Sequence, residues 1–289
     1  MQNKNFLILG GSSYLGSNMY KFLINKNISV TSTYYTNQVT LSNFKKCNLC
    51  SYKSLEKLPR HDVVILYAAN VLGKNKLKNN RKIIKNVIKY VIENKSFLVF
   101  ISSSQVNFKY DTNYKASKID SEELVKSKLR NYLIIRPALP IGNYNFKLLK
   151  TKRLQPIELL INLMKKVRIA PIIGNGTQLR QPIYITDLNK IIFQLIKSKI
   201  KNKIVEIGGP DKLTYNQMIS LMSKKIGISV LKLRLPYLLF YYLSFLFNTI
   251  DKDNLRNAIV SEIVDNKSWQ ELGPEFKLIK LKKMKSISF

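Results

Sequence analysis

The sequence predicts an α/β fold, a doubly wound parallel sheet with a smaller, interleaved C-terminal lobe. Three observations carry that expectation. Short apolar runs alternate with longer segments of helical periodicity through the first half of the chain, the pattern of β-α-β units. The runs are almost continuously apolar, as in Val63-Val-Ile-Leu66, which a sheet covered on both faces requires. A glycine-bearing turn, Gly10 to Gly16, joins the first run to the first periodic segment. With 289 residues, 45% of them hydrophobic, the chain can bury a sizeable core, and its composition excludes a disordered polymer.

Taken in order, the expected strands are Phe6–Leu9, Ser29–Thr33, Val63–Tyr67, Phe97–Ser102 and Leu133–Arg136. Between the first two, Leu15–Lys26 repeats Leu15, Met19, Phe22 and Leu23 at helical spacing. Ile83–Glu93 and Tyr114–Leu129 read as further helices. After Arg136-Pro137 the regularity weakens among scattered residues such as Pro140, Gly142, Pro156, Pro171, Gly174 and Gly176. Ile204–Ile207 reads as a strand returning to the sheet, followed by a Gly208-Gly209-Pro210 turn and a helix from about Tyr215 to Ile226. The expected division is a main domain of residues 1–141 completed by about 183–208, and a lobe of 142–182 with 209–289.

The formal net charge of +32, from 49 Lys plus Arg against 17 Asp plus Glu, raises nucleic acid or an anionic membrane as a partner. Lysine outnumbers arginine about four to one and is spread along the whole chain. Nucleic-acid readers lean on arginine for bidentate contacts, so a compositional bias is the preferred explanation and nucleic acid the disfavoured partner. Cys47 and Cys50 form the only C-x-x-C. A zinc site needs about four ligands, and the lone His61 is the one other usual candidate, so no metal is expected. Two thiols make no disulfide framework and fit a reducing compartment. The first residues, Met1 to Asn5, show no charged-then-apolar leader, so a cytoplasmic setting is expected. Pro236 to Phe247 is strongly apolar but short of the roughly 20 residues of a membrane span. A buried or dimer-facing helix is expected there ahead of an interfacial anchor flanked by Lys232, Arg234 and Lys252.

Chemistry enters at the glycine turn. In Gly10-Gly-Ser-Ser-Tyr-Leu-Gly16 the spacing Gly10, Ser13, Gly16 matches G-x-x-G-x-x-G with serine in the middle place. Glycine at the first position permits a tight turn, and at the last it lets helix and strand approach. A strand, such a turn and a helix N-terminus form a seat for a dinucleotide pyrophosphate, which makes the expected sheet Rossmann-like. The second strand ends in Thr31-Ser-Thr-Tyr-Tyr-Thr36, without the carboxylate that accepts the ribose hydroxyls of NAD. The cofactor expectation, NADP or NAD, therefore leans to NADP, with Lys45 or Lys46 as phosphate partners.

Tyr114-Lys-Ala-Ser-Lys118 puts a phenol and an ammonium four residues apart on one helix face. A free tyrosine titrates near pH 10, and beside a lysine ammonium and a positive nicotinamide ring its charged form is favoured, so it can pass a proton at neutral pH. Chance produces that spacing often in a lysine-rich chain. Phe100-Ile-Ser-Ser-Ser-Gln-Val106 changes the weighing, because it ends a strand in hydroxyls just upstream, where a donor to a substrate carbonyl belongs.

With these motifs in this order the chain resembles the extended short-chain dehydrogenase/reductases, in particular the NAD-dependent epimerase/dehydratase and sugar-nucleotide reductase branch. The resemblance covers nearly the whole chain. Asp62-Val-Val-Ile-Leu-Tyr-Ala-Ala69 is similar to the family's fourth strand, Asn80 to its structural asparagine, and Ile135-Arg-Pro-Ala-Leu-Pro-Ile-Gly142 to the segment after its active-site helix. Ile173 to Leu188 is similar to its substrate-lobe motif, in which Arg180 would clasp a nucleotide diphosphate; the alternative for Arg180 is a surface ion pair with Asp187 or another acid. By this resemblance Ser103, Tyr114 and Lys118 are catalytic. Gly10, Ser12, Ser13, Tyr14, Leu15, Gly16, Tyr34, Asn48, Leu49, Ala68, Ala69, Lys118 and Pro137 would contact cofactor, and Ser104 and Arg180 substrate.

There are departures. The Ser103–Tyr114 interval is short, Asn107-Phe108 replaces the usual Tyr-Gly, and Asn48 stands where an aspartate often meets the adenine. Ser104-Gln105 replaces the acidic pair of the dehydratases, which disfavours dehydration. The resemblance thus implies a homodimeric NAD(P)-dependent reductase or epimerase of a nucleotide-activated sugar, in a setting such as polysaccharide synthesis. The alternative is a catalytically silent nucleotide-binding scaffold of the same fold, docked to a membrane or complex.

Overall fold

The computed structural model describes residues 4–36, 38–69, 75–142, 156–243, 252–271 and 277–283. Its centre is a seven-stranded sheet, parallel at every pairing. The strands are β1 (Phe6–Leu9), β2 (Val30–Tyr34), β3 (Phe44–Lys46), β4 (Val63–Leu66), β5 (Phe97–Ile101), β6 (Tyr132–Pro137) and, far along the chain, β11 (Lys203–Ile207). Their spatial order is β11-β6-β5-β4-β1-β2-β3. The order reverses at β1, so the loops after β1 and β4 open a crevice at the carboxyl edge.

Alternation explains why the strands look uniformly apolar. Phe6 and Ile8 join one core with Met19 and Leu23 of α1 (Tyr14–Ile24) and Leu188, Ile191 and Leu195 of α6 (Ile185–Lys197). Leu7 and Leu9 join the opposite core, with Ile84, Val87 and Val91 of α3 (Lys76–Glu93) and Val125 of α4 (Asn113–Lys128). Each fully buried side chain of this size contributes about 2 kcal/mol from water exclusion. The short α2 (Tyr52–Leu55) completes the second layer through Leu55.

Between β6 and β11 the chain makes β7 (Pro140–Ile141), α5 (Pro156–Val167), β8 (Ile169–Ile173), β9 (Leu179–Arg180) and β10 (Ile183–Tyr184). After β11 come β12 (Leu213–Thr214), α7 (Tyr215–Lys225), β13 (Leu231–Leu235), α8 (Tyr237–Leu243) and α9 (Lys267–Gln270). A separate core forms here from Ile157, Ile161 and Met164 of α5, Ala170 and Ile172 of β8, and Met218, Ile219 and Met222 of α7. Trp269 of α9 returns to the main core.

Of the buried or dimer-facing helix expected at 236–247, burial within this chain is corrected in the part that is described, since Leu238, Leu239 and Tyr242 of α8 are exposed on the single chain. The physical reason is position. The helix follows β13, which among the described residues pairs only with β8, in a two-stranded sheet whose Leu231 and Leu233 are themselves exposed. Residues 244–247 of that expectation lie outside the described residues. Among the described residues no helix is long and apolar enough to cross a membrane.

Candidate active site

The turn after β1 is built as its glycines require. Gly10 has φ +89°, and a Cβ there would lie 2.7 Å from the Ala68 backbone nitrogen. A Cβ on Gly16 would stand 2.3 Å from the Gly10 carbonyl oxygen, so α1 can begin this close to the strand only with glycine at that place. Ser13 is the N-cap: its hydroxyl donates to the Gly10 carbonyl at 2.7 Å and accepts from the Gly16 amide at 3.1 Å. Thr33 ties the turn to β2, its Oγ1 accepting from the Gly10 amide at 3.0 Å.

Opposite the turn, β5 delivers the hydroxyls and α4 the phenol and ammonium. Ser103 caps the short 3-10 turn Ser104–Asn107 by accepting from the Gln105 amide, and it also hydrogen-bonds the Tyr114 hydroxyl. Lys118 is buried. Its Nζ donates to the Ile101 carbonyl at 2.8 Å and lies 4.9 Å from the Phe100 ring centre and 5.8 Å from that of Tyr114. Burial lowers its pKa to about 8, against a partial restoring pull from Glu122. A small pocket touches Ala68, Ala69, Asn80, Phe100, Ser117 and Lys118 together, so the end of β4 and α4 share one space. Asn80 fixes α3 against α4 by donating to Ser117 Oγ at 2.9 Å.

In the chain by itself the Tyr114 phenol lies above its usual value. Burial raises it, the Ser103 hydrogen bond works the other way, and Glu262 adds to the rise.

The third wall comes from the C-terminal lobe. Arg180 of β9 is buried and gives its guanidinium to main-chain carbonyls: Ala258 at 2.6 Å, Leu179 at 3.0 Å, and Val260. Desolvation lowers its pKa, with Glu262 and Tyr215 opposing. Asp187, weighed as an ion-pair partner for Arg180, instead takes Lys190 at 3.2 Å and the Ile279 amide at 2.7 Å, and the acid whose charge Arg180 feels is Glu262. Glu262, which the sequence did not single out, is buried and accepts from Ser104 Oγ at 2.7 Å.

The sequence model of the NAD dependent epimerase/dehydratase family matches residues 6–208. The chain belongs to the NAD-dependent epimerase/dehydratase family. UDP-glucose 4-epimerase from Thermotoga maritima, solved with UDP-glucose, is similar over 98% of this chain and 97% of its own, with TM-score 0.78 and 18% identity. The Bifidobacterium longum UDP-glucose 4-epimerase, solved with NAD+ and UDP, covers 98% and 96%, with TM-score 0.76 and 15% identity. At such identities the likeness shows the fold.

Among curated proteins, the mitochondrial NADH dehydrogenase [ubiquinone] 1 alpha subcomplex subunit 9 of Arabidopsis thaliana is 30% identical over 123 residues, 42% of this chain and 28% of that protein. The dTDP-glucose 4,6-dehydratase of Escherichia coli is 25% identical over 111 residues, 37% of this chain and 29% of that protein. The matched parts are thus under a third of either relative's length.

Within the family's frame, the remaining expected cofactor residues fall into two groups. Ser12, Leu15 and Tyr34 are half-buried around the turn and the end of β2, with Ala68 and Ala69 across the crevice. Tyr14, Asn48, Leu49 and Pro137 serve the scaffold in this structure: Tyr14 donates to the Gly142 carbonyl at 3.0 Å, Asn48 Oδ1 accepts from the Cys50 amide at 3.0 Å, Leu49 packs in the second core, and Pro137 pairs with Ile207. Cys47 and Cys50 are free, burial raises the Cys47 pKa, and among the described residues no group of three metal-ligating side chains exists.

Does the crevice fit a dinucleotide? The glycine turn places the positive end of α1 at the sheet's carboxyl edge, and Gly10 leaves the Ala68 backbone in direct contact, so the seat has the shape the family's cofactor needs. The residues that would hold it are Gly10 to Gly16, Ala68, Ala69 and Lys118.

Proposed function

We propose that the chain is an NAD(P)-dependent reductase or epimerase of a nucleotide-activated sugar, working in the cytoplasm as a homodimer. The observation that carries the reading is the Ser103–Tyr114 hydrogen bond with the Lys118 ammonium 5.8 Å from the same ring. When bound, the dinucleotide supplies or accepts hydride. The chain's own residues manage the proton. Tyr114, neutral because burial raises it, stands ready to protonate a sugar oxygen, which suits the reductive half of the chemistry. Ser103 orients that oxygen through its hydroxyl, and Lys118 offers its ammonium to the cofactor ribose. The lean to NADP is supported by exposed Lys45 and Lys46 on β3, registered beside Thr33 and Tyr34 at the end of β2.

The test is a titration of purified protein with NADPH and NADH, followed by a nicotinamide-absorbance screen against nucleotide-linked keto sugars. Tight dinucleotide binding with NADPH ahead, and oxidation by at least one sugar, is expected. Failure to bind either dinucleotide would overturn the proposal. One observation favours a second reading, a silent nucleotide-binding scaffold: the Arg180 guanidinium is already held by three carbonyls of its own chain. That reading expects cofactor binding with no turnover on any sugar.

A further inference from the structure

Glu262 lies 158 residues from Ser104 in sequence, yet its carboxylate accepts from the Ser104 hydroxyl at 2.7 Å. The backbone explains how it arrives. Glu262 forms a parallel bridge with Arg180 and donates its amide to the Leu179 carbonyl at 2.8 Å, so the segment after Ile259 runs along β9 and crosses to the mouth of β5. The carboxylate therefore faces the catalytic hydroxyls from the wall opposite α4. Its charge is felt at Tyr114 and at Arg180, and the Leu139 amide also donates to it. Only 9% of the residue is exposed, and burial raises its pKa while Ser104, Arg180 and Leu139 pull it down.

A buried acid is costly unless it is compensated, and here the compensation comes from the Ser104 hydroxyl, the Arg180 charge and the Leu139 amide. The cation whose charge reaches Glu262 is Arg180 on β9, and on α4 the group that feels the Glu262 charge is Tyr114, while the Lys118 ammonium beside it feels Glu122.

We infer that Glu262 is a specificity residue at the sugar face, where it accepts hydrogen bonds from neutral sugar hydroxyls and turns away sugars that carry a carboxylate. The inference rests on the sugar-nucleotide reading proposed above. A sugar carboxylate brought beside Ser104 would meet the Glu262 carboxylate as a like charge in a buried setting. Such repulsion across about 6 Å of protein-like medium is worth roughly 10- to 100-fold in affinity.

The probes are UDP-glucose and UDP-glucuronic acid, which differ only by that carboxylate. Their affinities are measured by calorimetry on dinucleotide-loaded protein. Wild type should prefer UDP-glucose by roughly 10- to 100-fold. Glu262→Gln, nearly identical in shape, should lose most of that preference, mainly by tighter binding of the uronic acid. Ser104→Ala, which keeps the carboxylate, should retain the preference, as should Glu262→Asp. A purely structural Glu262 would weaken both probes alike and leave their ratio unmoved, and that result overturns the inference while leaving the proposed function standing. Wild type that binds both equally well overturns it too. Wild type that is loaded with dinucleotide yet binds neither probe overturns the inference, whereas the proposed function falls only if neither dinucleotide binds.

Discussion

Replacing Lys118 by methionine should stabilise the folded chain at pH 7 while abolishing its chemistry. The side chain is 7% exposed, and its pKa falls from 10.5 to about 8 on folding. That fall is worth about 3 kcal/mol, carried as a cost by the native state wherever the lysine is charged in both states, which includes pH 7. The sign follows from proton binding. Between about 8 and 10.5 the unfolded chain holds the proton and the folded one has released it, so this group makes wild type more stable as pH rises through that window. Methionine fills a similar volume without charge, but it gives up the 2.8 Å bond to the Ile101 carbonyl, which returns about 1 kcal/mol. A net gain of about 2 kcal/mol at pH 7 remains by this reasoning, shrinking towards zero by pH 10. Urea denaturation of both proteins at pH 7 and at pH 9.5 measures it. A methionine variant less stable than wild type at pH 7, or a gain that does not shrink at high pH, refutes the argument.

Two further outcomes follow from close contacts. Gly16→Ala would drive a Cβ into the Gly10 carbonyl at 2.3 Å, so a loss of about 2 kcal/mol in stability and more than about tenfold in dinucleotide affinity is expected by denaturation and fluorescence titration. Glu122 accepts from Arg136 Nη2 at 2.6 Å and Nε at 3.0 Å and from Ser102 Oγ at 2.5 Å, so Glu122→Gln should cost about 3 kcal/mol by leaving a guanidinium half-paired, seen as a lower urea midpoint.

The parallel sheet was legible because its strands are apolar on both faces. Phe6–Leu9 ends where expected, and Val63, Phe97 and their neighbours lie within a residue or so of the expected bounds. Helix α3 begins at Lys76, about two turns before the expected Ile83, because Lys76 to Lys82 is nearly all polar and its buried member, Asn80, is held by a hydrogen bond that periodicity does not register. Strand β3 is three residues with two exposed lysines, too short and too polar to stand out. Helix α6 carries a clear helical signal in Ile185, Leu188, Ile191, Ile192 and Leu195, although it starts directly after the two-residue strand β10 with no side-chain cap to mark its beginning.

At the site, Ser103, Tyr114 and Lys118 are brought together as their order in sequence implies, since one strand end and one helix place all three. Two things had no local signature. The phenol's raised pKa depends on burial and on Glu262, and Glu262 itself reaches Ser104 only through the path of a distant segment.

The central claim is that Tyr114 transfers a proton beside a bound dinucleotide. Tyr114→Phe removes one oxygen atom and nothing else from that arrangement. Measured on the sugar substrate found in the screen, turnover should fall by roughly 10²- to 10⁴-fold while dinucleotide affinity stays within about twofold. Turnover that survives the substitution at near wild-type rate would contradict the account.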